Sequence, residues 1–338
     1  MRFNKTFFKA ILLQYSGIVC AGIFVLPYVF YHSNFKFAVF WLILLTFVTM
    51  VIHEIYIEVI LATKGDHQLA GYADIYLGKF FKNLATINML FLGFGAISAY
   101  IRLGSGFLNI FFPKTNNFIL QIIFLLAVTF FHFCDLKIIK KIIHYLPVLS
   151  LSIVLLLFTI TIKTPFVVQS NSLPNLSVFG TLIFALAGFI IIPEVEEVLR
   201  KEKNVRYQLI WASRLGLLLA SLTYLLFVIS IIVLSRSNLS QDAISGLFQT
   251  SPVLGKILAA LGIALTFKAT LNFTLALKEM FYRDLKLPQK LSIQLAWIIP
   301  FFSLFLGAFS FMSIIAFTGS ISIGISVFII LCAKLKCG

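Results

Sequence analysis

Ser16–Phe30 reads SGIVCAGIFVLPYVF and Phe184–Leu199 reads FALAGFIIIPEVEEVL. In each, an Ala-Gly pair is followed by four apolar residues and a proline: Ala21-Gly22 with Pro27, and Ala187-Gly188 with Pro193. The two prolines stand at the same offset along the chain as the two Ala-Gly pairs. Both motifs lie in stretches long enough to cross a bilayer, since Ala10 to Tyr31 carries no charge and neither does Thr164 to Pro193. A hydrocarbon core of about 30 Å takes about 20 helical residues at about 1.5 Å each. Glycine weakens a helix and proline removes an N–H donor, so backbone groups are freed where only a cavity or a partner can satisfy them. Freed amides at a half-helix N-terminus can hold a carboxylate, and freed carbonyls an ammonium or a cation. An α-amino acid carries both charges. Simple kinks packed through small residues would use the same letters, but the matched placement in two halves favours a binding site.

The rest of the chain fits that setting. Phe37 to Ile52, Asn83 to Ile101, Thr115 to Cys134 and Leu215 to Ser235 are also free of charge. Of 338 residues 60% are hydrophobic and 12% charged, with a mean hydropathy of +1.03, against about 25% charged in soluble domains. Leu291 to Ala333 is charge-free over about 43 residues, roughly 65 Å of helix, and so must fold as two spans with a short turn. The expected architecture is all-α with ten transmembrane helices, at 10–31, 36–60, 84–108, 115–134, 142–162, 176–199, 210–235, 254–277, 290–309 and 313–333. They form one domain of two inverted halves, 6–163 and 174–334, the first motif entering its span from one side and the second from the other. The opening stretch is too long for a signal peptide and many like it follow, so Met1 is read as part of the mature chain. The polar segment from Ser235 to Lys256 is a passive connector or a cap on a pathway.

The net charge of +15 raises nucleic acid as a partner, but the basic residues segregate by loop. Arg2, Lys5 and Lys9, then Lys64, Lys79 and Lys82, then Lys137, Lys140 and Lys141, then Arg200, Lys201, Lys203 and Arg206, then Lys278, Arg283, Lys286 and Lys290, and finally Lys334 and Lys336 fall in alternate loops and tails. The opposite loops hold only Lys36, Lys114, Lys163, Arg236 and Lys256. The positive-inside rule then puts both termini in the cytoplasm and the chain in the cell membrane, with the lipid bilayer and not nucleic acid as partner. Cys20, Cys134, Cys332 and Cys337 show no ligand spacing and no external pair, so neither a metal site nor a disulfide is expected. No cofactor motif and no paired nucleophile and base stand out, which argues against an enzyme.

The two quoted stretches resemble the first and sixth helices of amino acid permeases of the amino acid/polyamine/organocation (APC) superfamily, including the hydroxy and aromatic amino acid permeases. AGYADIYLGK (Ala70–Lys79) resembles their loop between spans two and three, and SAYIRLGSGFL (Ser98–Leu108) their third span. The resemblance implies a LeuT-like fold of five plus five helices with helices one and six broken. It places Gly17, Cys20, Ala21, Gly22 and Ile23 of the first break, Phe184, Ala187 and Gly188 of the second, and Tyr100 of the third span around a substrate. Where those permeases have Gly-x-Gly, this chain has Cys20-Ala21-Gly22, which predicts a narrower approach at Cys20.

Ionisable residues inside membranes are costly and are functional candidates. Glu54 and Glu58, beside His53, share a face of the second span as a proton relay or as solvated end charges. Glu194 follows Pro193 and is a gating candidate, while Glu196 and Glu197 face a basic run. Arg102 snorkels towards the headgroups near the outer end of its span, and His132 and His144 are interface residues rather than proton carriers. Lys268 lies about 14 residues, or about 21 Å, into its span. In LeuT-like proteins that couple to sodium the ion lies between the first break and span eight, so this ammonium either takes that place as a proton-linked switch or snorkels inward. The expected function is a secondary permease for amino acids, neutral and aromatic or hydrophobic, coupled to a proton or to sodium. The rivals are a sensor of the same fold, which germinant-receptor membrane subunits resemble, and a channel.

Overall fold

The computed structural model describes residues 4–133, 137–165, 177–235, 238–304 and 311–337. The side chains of 131–144 and residue 236 lie outside this set, and with them His132, Cys134, Lys137, Lys140, Lys141, His144 and Arg236. The described residues are helical, with no strand among them.

Helix α1 (Lys5–Ile18) is capped by Asn4, whose side chain accepts the Phe7 N–H at 3.0 Å. It stops at Ile18. A single 3₁₀ turn, Ala21–Phe24, leads into α2 (Leu26–Tyr31), which has Pro27 in its first turn, and the two halves are bent by 51°. The same device recurs at α8 (Ser177–Leu186), the 3₁₀ turn Gly188–Ile191, and α9 (Ile192–Leu199) with Pro193 in its first turn. Proline suits that position because the first N–H groups of a helix have no partner to lose. Each Ala-Gly pair therefore stands at the break itself, and each proline starts the next half-helix.

The other helices are α3 (Phe35–Ala62), α4 (Leu69–Leu77), α5 (Lys79–Phe111), α6 (Asn117–Phe133), α7 (Lys137–Thr161), α10 (Val205–Ser235), α11 (Ile244–Thr250), α12 (Pro252–Glu279, continued by a π-turn, Met280–Asp284), α13 (Gln289–Ser303) and α14 (Phe311–Cys337). Among the described residues six helical segments are long and apolar enough to cross a membrane, and the bent α1–α2 pair makes a seventh. The apolar parts of α6 and α7 are shorter, and α13 has 15 residues. Phe40, Phe47, Leu156 and Phe317 are each more than half exposed, as lipid-facing side chains are.

Several helices run past their expected spans. Helix α5 begins at Lys79 rather than at 84 and α10 at Val205 rather than at 210, because charged first turns continue the helix beyond the apolar stretch. Two short helices occupy stretches read as connectors. AGYADIYL belongs to α4, and α11 sits in the polar segment with Ile244 and Leu247 fully buried.

The ends that carry the basic residues meet. Arg200 pairs with Asp66 and with Glu196, Arg283 with Asp66 and Glu197, and Glu58 with both Arg206 (2.6 Å) and Lys334 (2.9 Å). The loop after α3 and the ends of α9, α12 and α14 thus share one face of the bundle, the basic end.

Candidate functional site

The two breaks meet at the centre of the bundle and wall a small cavity of about 50 Å³. Gly17, Cys20 and Gly22 contribute from the first break and Phe184, Ala187 and Gly188 from the second. Helix α5 adds Leu92 and Tyr100, α12 adds Ala269, Asn272 and Phe273, and α14 adds Ile323. The approach of the breaks is close. A Cβ on Gly22 would stand 3.2 Å from the Ala185 Cα, and one on Gly17 would stand 2.6 Å from the Ile191 side chain. Tyr100 packs edge-on against Phe273 with ring centres 5.9 Å apart, and lies 6.3 Å from Phe184. It is 3% exposed, and its hydroxyl has no hydrogen-bond partner among the described residues. The Asn272 amide also has none.

Four carbonyls at the breaks are capped by the protein's own side chains: Lys268 Nζ donates to Ser16 O and Ser16 Oγ, the Tyr224 hydroxyl contacts Ile18 O (2.7 Å) and Ala185 O (2.8 Å), and Gln14 Nε2 donates to Gly188 O (3.2 Å). The amides of Ala21, Gly22, Gly188 and Phe189 close no turn with the helix before them. They belong to the starts of the 3₁₀ turns, where the first N–H groups have no helical partner. The breaks thus offer donors to an anion, while the carbonyls of Ser16, Ile18, Ala185 and Gly188 already accept from side chains.

Towards the basic end the cavity meets a polar vestibule of about 190 Å³, which shares Gly17, Ile191 and Asn272 with it and holds Lys9, Ser16, Glu194 and Lys268. On the other side Phe24 stacks edge-on with Phe107 (5.0 Å) and Phe227 (5.8 Å), all three buried.

A profile of the tryptophan/tyrosine permease family matches residues 4–330. The chain belongs to that family. No curated protein sequence matches it. Among solved structures, this permease superposes on the Eremococcus coleocola manganese transporter bound to an aromatic bis-isothiourea compound with a TM-score of 0.69 at 15% identity, covering 96% of this chain and 78% of the other. Mhp1, a nucleobase-cation-symport-1 family transporter in a closed conformation with bromovinylhydantoin, gives 0.67 at 10% identity, covering 94% and 77%. MhsT in complex with L-phenylalanine gives 0.63 at 15% identity, covering 95% and 87%. At these identities the likeness is one of fold, and the fold is LeuT-like. Family and neighbours together mark the permease as a multi-pass secondary transporter rather than an enzyme. They lend no support to the sensor reading.

Of the residues singled out in the permease sequence, Gly17, Cys20, Gly22, Tyr100, Phe184, Ala187 and Gly188 line the cavity, whereas Ala21 and Ile23 are buried in the 3₁₀ turn and do not. Cys20 turns its Sγ back towards the carbonyls of Ser16 and Gly17, each at 3.5 Å. Lys268 is 3% exposed and bonded to Ser16, so it does not snorkel to the basic end. Glu194 is exposed within the vestibule. Glu54 stands apart from both cavities, paired with Arg214 at 2.6 Å, and His53 is buried against the Ser213 hydroxyl at 3.0 Å. Asn272 went unread although it was legible as an amide one helical turn beyond Lys268. Phe273, Leu92 and Ile323 carry no signal in a sequence this apolar.

Proposed function

We propose that this permease carries an aromatic or hydrophobic amino acid across the cell membrane by alternating access, with a proton as the coupling ion. The observation that carries the reading is the cavity at the paired breaks, with the amides that start the 3₁₀ turns on one side and its aromatic wall of Tyr100, Phe184 and Phe273 on the other. The amides near Gly22 and Gly188 suit the α-carboxylate, the Asn272 amide oxygen suits the α-ammonium, and the rings suit an apolar or aromatic side chain. The family's name and the phenylalanine in MhsT point the same way. We read the chain as ten spans in two inverted halves, 6–163 and 174–334, with the basic end and both termini in the cytoplasm. The vestibule then opens inward and the three stacked phenylalanines close the outer side.

Lys268 is the coupling residue in this reading. Its ammonium holds the last turn of α1 before the break through Ser16, and the titratable groups facing it are the Cys20 thiol and, across the vestibule, Glu194, with Lys9 beside the same space. Loss of its proton replaces a three-donor cation by a neutral amine and weakens the hold on α1. Uptake of labelled tryptophan, tyrosine and phenylalanine into proteoliposomes tests the function. Saturable, sodium-independent accumulation driven by an inward proton gradient is expected, and the absence of accumulation for every amino acid would refute it.

A further inference from the structure

Tyr224 lies on α10, an unbroken helix, and is fully buried. It does not line the central cavity. Its hydroxyl contacts the carbonyl of Ile18, the last residue of α1, at 2.7 Å, and that of Ala185, in the last turn of α8, at 2.8 Å. Ile18 and Ala185 both line the cavity. One hydroxyl on a third helix thus bridges the two broken helices where each stops. An O–H donates one proton, so it is shared between the carbonyls or alternates between them.

Two carbonyl oxygens converging on one point are also the groups by which broken membrane helices hold a monovalent cation. Here that point is filled by a neutral donor. We propose that Tyr224 is a positioning residue of the transport site, fixing the separation of the two breaks and standing where the same carbonyls would otherwise gather a cation. Helix α10 is continuous, so the tether holds the lip of the cavity, at the ends of α1 and α8, to one width. Gln14, donating from α1 to Gly188 O at 3.2 Å, supports the same spacing one turn nearer the basic end. The chain supplies from its own side chains the positive or hydrogen-bonding charge that a bound metal cation would bring, with Lys268 on Ser16 as its counterpart.

The proposal rests on reading the cavity as the substrate site, and its test has one arm that needs no substrate. Tyr224→Phe removes only the oxygen, leaving the ring in place and the carbonyls of Ile18 and Ala185 bare. Titrating sodium chloride against choline chloride should then raise the thermal midpoint of Tyr224→Phe and leave the unmodified protein unchanged, because a cation that binds only the folded state stabilises it. In uptake, Tyr224→Phe should raise KM about tenfold with a smaller change in kcat, sodium should bring KM back down, and para-aminophenylalanine at position 224, which keeps a donor there, should restore the unmodified KM without sodium. A sodium-insensitive midpoint in Tyr224→Phe, or an unchanged KM, would overturn the proposal. So would failure of Tyr224→Phe to insert while the para-amino variant inserts normally, since the hydroxyl would then be a folding contact. If the unmodified protein moves no amino acid, the functional reading fails while the sodium titration still decides the role of Tyr224.

Discussion

At the residue scale the coupling reading turns on one ammonium. Lys268 is buried with both its polar contacts on Ser16, and no carboxylate lies within ion-pair distance of it among the described residues. Replacing Lys268 by Ala should leave a protein that inserts and binds substrate but whose uptake no longer varies with pH, and uptake measured from pH 5.5 to 8 checks this. Sodium-stimulated uptake by the unmodified protein would refute the switch and leave the permease standing. Tyr100→Phe removes a hydroxyl with no partner among the described residues, so stability should hold while KM for the preferred substrate rises by up to about tenfold, the worth of one hydrogen bond. Steady-state uptake separates the two effects. Residues such as Gly22 and Lys268 were legible because they break a rule, a glycine in a helix or a charge in a membrane. Phe273, Leu92 and Ile323 break none, and their part in the wall exists only once α5, α12 and α14 are packed together.

At the element scale the two breaks dominate. The repeated Ala-Gly and proline spacing showed where the helices stop, and the structure adds what satisfies them, with Lys268, Tyr224 and Gln14 on the carbonyls and turn-starting amides beside Gly22 and Gly188. That division was not readable from the motifs, because the donors come from α10, α12 and an earlier turn of α1. Gly22→Leu would force its side chain into the Ala185 backbone, which a Cβ alone would approach to 3.2 Å. Transport should be abolished with normal membrane insertion, as uptake beside surface labelling would show. The junction of α3 and α4 holds a second device. His67 faces the buried Asp284 carboxylate at 3.4 Å, with Asp66 next in sequence and the Tyr72 ring against it, and the hydrogen bond to Asp284 raises its pKa above the usual value near 6.5 despite partial burial. A raised folded-state pKa means stabilisation that is complete below the unfolded value and lost as pH rises through the folded one. The thermal midpoint should therefore fall on going from pH 6 to pH 8.5, and His67→Gln should flatten that part of the curve. An equal fall in the variant would place the titration elsewhere.

At the scale of the whole molecule the central cavity continues into the polar vestibule at the basic end and is backed by Phe24, Phe107 and Phe227 at the other. Alternating access requires that this asymmetry reverse around a fixed site, and Ile191 packed on Gly17 is the narrow point between cavity and vestibule. The membrane class, the helical architecture and the position of the breaks were legible in hydropathy and in two motifs, since a bilayer imposes long apolar helices on any chain that crosses it. Of the ion-paired basic end, the pairing of Glu196 with Arg200 was legible in the acidic-then-basic run that closes the sixth span, whereas partners such as Asp66 with Arg200 and Glu58 with Lys334 lie far apart in sequence. The central claim, that an amino acid binds between the two breaks, is tested most directly at Cys20, which lines the cavity at 9% exposure. With Cys134, Cys332 and Cys337 replaced by serine, the rate at which N-ethylmaleimide modifies Cys20 is measured with and without a saturating transported amino acid. The account predicts that bound substrate slows modification about tenfold or more, and an unchanged rate at saturation would contradict it.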